Sequence, residues 1–158
     1  MPEFILNDKD TREFTQLPEI VQGFIEAMFF TECEGSIADD TFDPENGSQL
    51  PDEASWLEIH PDSLKRIVET VTAWRDEHAA LLEQAYEAER KDVFLYDEIR
   101  AGNDLWYTSN GHGVGFWDRG FTDELGKALT AAAKEFGESC VFWETTDEDE
   151  CTGIVYVD

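Results

Sequence analysis

The stretch Asp104–Gly120, "DLWYTSNGHGVGFWDRG", decides how the chain is read. Two short runs rich in aromatic and β-branched residues, "DLWYTS" and "VGFWDR", flank the turn signal "NGHG". Asn-Gly between two such runs is the strongest short-range mark of a β-hairpin. The expectation is therefore a hairpin. Gly111, Gly113 and Gly115 permit its turn and a bulge, and Trp106, Phe116 and Trp117 pack from its strands.

Upstream, Leu17, Ile20, Val21, Phe24, Ile25, Met28 and Phe29 recur at helical spacing, and Pro18 suits a first helical turn. A second apolar stripe starts near Pro61 and runs Leu64, Ile67, Val68, Val71, Trp74, Leu81, Leu82, Ala85 and Tyr86. It predicts a long helix of about seven turns that continues or kinks through "ERKDVFLYDEIRAGN" and ends by Gly102. Between these two helices, residues 31–55 form an acidic stretch punctuated by Gly35, Pro44, Asn46-Gly47 and Pro51, which reads as a loop. Downstream, Thr122 caps a third helix that buries Leu125, Ala128, Leu129, Ala132 and Phe136 and stops at Gly137. "SCVFWET" and "GIVYVD" read as a second hairpin across the turn "TDEDECT". The expected fold class is α+β over a single domain, residues 1–158: an antiparallel sheet of about four strands, in two hairpins, against about three helices.

Charge is the dominant feature of the whole chain. Its 37 acids and 11 bases give a formal net charge of −26. Residues 1–60 carry 15 acids and 2 bases, residues 61–120 carry 12 and 7, and residues 121–158 carry 10 and 2. Such a field repels nucleic acid and anionic membranes and attracts basic surfaces. Direct DNA or RNA binding, which needs cations on the phosphates, is not expected on this ground. A hydrophobic fraction of 41% and an aromatic fraction of 13% mark a packed interior rather than a disordered acidic tail. Cys33, Cys140 and Cys151 form no CxxC pair and suit a reducing compartment. With no signal-like start and no long apolar run, the reading is cytoplasmic.

Three kinds of site compete. His112, Asp118 and Arg119 could form an acid-base or ligand site, because histidine titrates near neutrality and the flanking glycines let a ligand approach. No nucleophile stands at a spacing that completes a mechanism, so no catalytic residue is assigned. Metal and cofactor sites are not expected: His60, His78 and His112 are dispersed, and Asp39, Asp40, Asp43 and Glu45 lack the EF-hand order. The carboxylates themselves are the third candidate. Glu32, Glu34, Asp39, Asp40, Asp43, Glu45, Asp52 and Glu53 in the first loop, with Glu144, Asp147, Glu148, Asp149 and Glu150 near the last turn, could imitate a row of phosphates. Duplex DNA carries one negative charge per about 1.7 Å of axis, and a rigid protein presenting acids in rows could fill a basic DNA-binding groove. Against this stands simple solvation, in which the acids have no specific partner.

The segment Ala101–Gly137 resembles small acidic proteins of tailed bacteriophages that carry D-(F/L)-W-x-T-x-N-G-H-G-x-G-F-W-D-R followed by an E-L-G helix. Asp104, Leu105, Trp106, Thr108, Asn110, Gly111, His112, Gly113, Gly115, Phe116, Trp117, Asp118 and Arg119 fill the pattern. With the acidic loop and long helix that precede it, the resemblance covers about two thirds of the chain. It implies provenance rather than chemistry: a phage accessory protein acting in a bacterial cytoplasm. By analogy with other small acidic phage proteins, this suggests an anti-defence inhibitor that mimics DNA and binds a basic restriction, CRISPR or repair enzyme.

Overall fold

A computed structural model describes residues 14–32, 59–88, 95–146 and 149–157. Five α-helices dominate them: α1 (Glu19–Glu32), α2 (Pro61–Glu77), α3 (Ala79–Glu87), α4 (Glu98–Ser109) and α5 (Asp123–Phe136). A single 3-10 turn, Phe116–Asp118, precedes α5. The chain closes with a two-stranded antiparallel ribbon, β1 (Val141–Thr146) and β2 (Asp149–Val157), paired from Val141 opposite Val157 to Thr146 opposite Asp149.

The expected α+β fold with a four-stranded sheet is therefore wrong: the described residues are predominantly helical. The error lies in the stretch around the glycine-rich motif. "DLWYTS" is the C-terminal half of α4, and "NGHG" caps that helix instead of turning a hairpin. Residues 116–118 are a 3-10 turn, not a strand. Six residues of mixed aromatic and β-branched character cannot distinguish a strand from a buried helix by period alone. The deciding information sits upstream and in the partner helix. The Asp97 carboxylate accepts the Arg100 backbone N–H and starts α4, so that the helix is already one full turn long at Gly102.

Gly102 does not end the helix; it lets two helices touch. A Cβ there would collide with the Ile20 carbonyl and the Phe24 nitrogen of α1, and a Cβ at Gly23 would collide with the Ile99 carbonyl of α4. The two glycines face each other's helix and bring α1 and α4 into backbone contact. The Asn103 amide fixes the crossing by donating to the Gly23 carbonyl at 2.6 Å. Ala101, Leu105 and Trp106 are fully buried, as are Ile20, Val21, Ile25, Met28 and Phe29 of α1.

The long helix expected from Pro61 to Tyr86 is two helices that meet at His78. Its apolar stripe survives the break, with Ile67, Val71, Trp74, Leu82 and Ala85 buried. His60 caps α2 by accepting the Asp62 N–H on Nδ1, and Pro61 occupies the first turn. Trp74 packs on Phe116 and donates Nε1–H to the Ala132 carbonyl at 3.0 Å, linking α2 to α5. The Val157 N–H donates to Ser63 Oγ at 3.1 Å, which anchors the end of β2 on the first turn of α2. Thr122 caps α5 and Gly137 ends it, as the sequence suggests. Helix α1 runs through Thr31 and Glu32, past the point where the acidic loop was expected to begin. The rest of that loop, from Cys33 to Ser55, lies outside the described residues.

Candidate functional site

The motif folds into a compact joint at the C-terminus of α4. Asn110 is the C-cap, and Gly111 follows with φ +72°, a left-handed conformation that glycine adopts without penalty. The His112 N–H donates to the Tyr107 carbonyl at 2.9 Å, and the Gly111 N–H to the Thr108 carbonyl at 3.3 Å. These two bonds form a Schellman cap, the helical counterpart to the hairpin turn that the Asn-Gly pair suggested. The Asn110 side chain works in both directions. Its amide nitrogen donates to the Trp106 carbonyl at 3.0 Å, and its oxygen accepts the Ser139 N–H at 2.9 Å. The end of α4 is thereby tied to the segment that leaves α5.

Asp104 and Arg119 form the electrostatic centre of this joint. The Asp104 side chain is 0% exposed and accepts three N–H bonds from the Arg119 guanidinium, at 2.6, 3.0 and 3.1 Å. The Tyr96 hydroxyl adds a fourth at 2.7 Å. This fork matches a planar guanidinium to a carboxylate and satisfies a charge that would be costly alone. Hydrogen bonding to Asp104 raises the Arg119 pKa above its ordinary value. Burial, reinforced by the adjacent Asp104 charge, pushes the Tyr96 phenol well up, so it stays a proton donor to the carboxylate.

His112 lies against the rings of Trp106 and Tyr107, with centroids 6.5 and 6.0 Å away. Its buried Nε2 has no hydrogen-bond partner among the described residues. Burial lowers its pKa, which favours the neutral ring. Of the candidate triad, Arg119 is engaged by Asp104 and Asp118 is exposed on the 3-10 turn. His112 is placed by its own backbone and its aromatic neighbours, and no hydrogen bond joins the three side chains. The partner that Arg119 does have, Asp104, is not among the candidates that the sequence suggests. An acid inside the apolar run "DLWY" is the signal that points to it, because a buried carboxylate requires a cation.

Of the proposed phosphate-mimicking acids, Glu32 alone has a described side chain. It is half-buried at the end of α1, and burial raises its pKa. Glu34, Asp39, Asp40, Asp43, Glu45, Asp52 and Glu53 lie outside the described residues, as do Asp147 and Glu148. Glu144, Asp149 and Glu150 are placed only by backbone, on β1 and β2. Other acids are exposed on the described helices: Asp62, Glu69, Asp76 and Glu77 on α2, Glu83 and Glu87 on α3, and Asp123, Glu124 and Glu135 on α5. No group of histidine, cysteine and carboxylate side chains that could hold a metal occurs among the described residues. No described helix is long and apolar enough to cross a membrane.

The chain matches no protein-family model, no curated protein and no solved structure.

Proposed function

We propose that this protein is a DNA mimic: an accessory protein of phage type, acting in the bacterial cytoplasm, that occupies the basic groove of a nucleic-acid-handling host protein such as a restriction, CRISPR or repair enzyme. The observation that carries the reading is the net charge of −26 on a chain with a dense aromatic core. A rigid acidic body needs no catalysis to compete with DNA. It needs steering by its field and carboxylates held in place. Support comes from the acids spread over the outer faces of α2, α3 and α5, of which Glu83, Glu87, Asp123, Glu124 and Glu135 have no ion pair among the described residues. The motif's own ion pair is turned inward, on Asp104, which leaves the acidic surfaces as the features available to a macromolecular partner.

The test is capture of host proteins on the immobilised protein at low salt, followed by elution with salt or with duplex DNA. The expected result is a basic DNA-binding protein released by both. Neutralising Asp39, Asp40, Asp43 and Glu45 together to Asn and Gln is expected to weaken capture by at least about tenfold, a change of about 1.4 kcal/mol. His112→Ala is expected to leave it unchanged. Absence of any salt-sensitive partner, or capture indifferent to the four neutralised acids, refutes the reading.

A further inference from the structure

Beside the joint lies an open groove of about 570 Å³ whose lining is mostly apolar. Trp117 forms one wall, and one face of α5 forms the other, presenting Lys127, Thr130, Ala131 and Lys134. Those positions follow i, i+3, i+4 and i+7, so they share one side of the helix, and the two lysines are separated by about 10 Å along its axis. Trp117 is 46% exposed, unusual for so large an apolar ring. It is held in place from beneath: a Cβ on Gly115 would strike both the Trp117 ring and Thr108 Oγ1, so the ring lies directly over the Gly115 backbone.

Charge is what distinguishes this groove. Lys127 and Lys134 are the only two cations in residues 121–158. Among the described cations, Lys65, Arg75 and Arg119 are ion-paired, and Arg66 and Arg100 have further partners. Lys127 and Lys134 have no ion pair among the described residues, although the chain carries 37 acids. Two ammonium groups without an ion pair among the described residues thus flank an apolar floor and an exposed indole.

We propose that this groove is a binding site for a small organic anion with a flat aromatic or heteroaromatic ring, the class to which mononucleotides and aryl sulfonates belong. The ring would lie against Trp117 and the apolar floor, and the anionic group would take Lys127 or Lys134. The volume lies within the range typical of small-ligand pockets, about 300–1,000 Å³. The charge of the whole chain narrows the class further. A polyanion such as a nucleic acid strand or an acidic peptide would extend into the repulsive field of the remaining carboxylates, whereas a compact anion with one or two charges can stay beside the two lysines. No carboxylate lines the site, and its occupancy does not depend on DNA mimicry.

Titration of the intact protein with AMP, adenosine, 1-naphthalenesulfonate and inorganic phosphate, followed by calorimetry and ligand-observed NMR, tests the proposal. AMP or the sulfonate is expected to bind with a Kd below about 1 mM, with adenosine and phosphate at least about tenfold weaker. Lys127→Gln with Lys134→Gln, and separately Trp117→Ala, are each expected to weaken binding of the ring-bearing anion by at least about tenfold. A melting curve on each variant checks that the fold is intact. Failure of both ring-bearing anions to bind overturns the proposal. So does adenosine binding as well as AMP, or anion binding indifferent to the lysines. Preferential binding of a Glu-rich peptide would also overturn it and assign the groove to a protein partner.

Discussion

Arg119 and Trp117 stand two residues apart, yet they belong to opposite kinds of surface. Arg119 points into the joint and spends its donors on Asp104, a carboxylate withdrawn completely from water. Trp117 points outward over a groove where two lysines have no ion pair among the described residues. Both arise from the same Gly-rich stretch. The contrast teaches that a charged or aromatic residue in a conspicuous motif gains its meaning from what the fold sets opposite it. Where the opposing charge is supplied internally, the residue stabilises the fold. Where it is withheld, the residue remains open to a ligand.

The largest effect is expected from breaking the inward side. Arg119→Leu strands the buried Asp104 carboxylate with Tyr96 as its one remaining donor among the described residues, and should cost about 3–5 kcal/mol in urea unfolding. Replacing Asp104 and Arg119 together with apolar residues of similar volume should recover much of that loss, since a buried pair contributes far less than its broken half costs. If the single and double variants are equally unstable, the pair acts through packing and not charge.

A smaller loss is expected at the cap. Gly111→Ala forces an L side chain into φ +72° and should destabilise by about 1–2 kcal/mol. Gly113→Ala is the control, because a Cβ there meets nothing within 4 Å and its φ is not positive. Equal effects at the two positions would argue against the Schellman cap.

Glu26 sharpens the comparison by pH. It lies on α1 and, unlike Asp104, has no cation paired with it among the described residues. Burial is the dominant cause and raises its pKa from 4.5 to about 7. A carboxyl with a raised folded pKa binds its proton more tightly in the folded state, so it costs stability as pH rises from about 4.5 through about 7. Glu26→Gln should therefore be more stable than the parent above pH 7 and equal to it near pH 4 by thermal melting. A variant less stable than the parent at pH 8 would show that the carboxylate has a stabilising partner. The smallest effect belongs to the outward side: Lys127→Gln and Lys134→Gln should each change stability by less than about 0.5 kcal/mol, as expected for exposed positions without partners. A larger loss would mean that the lysines serve the fold and not a ligand.

Much of the helical framework is legible in the sequence. The α1 stripe, the Pro61 start, the apolar positions of α2 and α3, and the Thr122 and Gly137 limits of α5 all follow from period and capping chemistry. The motif is not legible in the same way, because each of its signals has two physical meanings. Gly102 reads as a helix stop and acts as a contact that brings α1 and α4 together. Asn110-Gly111 reads as a hairpin turn and acts as a helix cap. Both readings satisfy the same local need, for a missing Cβ in one case and a positive φ in the other. Of the candidate site, His112, Asp118 and Arg119 stand out as residues, but the Asp104 partner and the groove over Trp117 do not.

By itself, then, the sequence determined the charge, the richness of the core and most helix positions, because these depend on composition and on contacts within a few residues. Only the tertiary structure decided that "DLWYTS" is helical, that Arg119 is consumed by Asp104, and that Lys127 and Lys134 share a groove with Trp117. Those outcomes depend on which distant backbone approaches which face. A six-residue segment holds too few local interactions to settle its own conformation against the burial offered by α1.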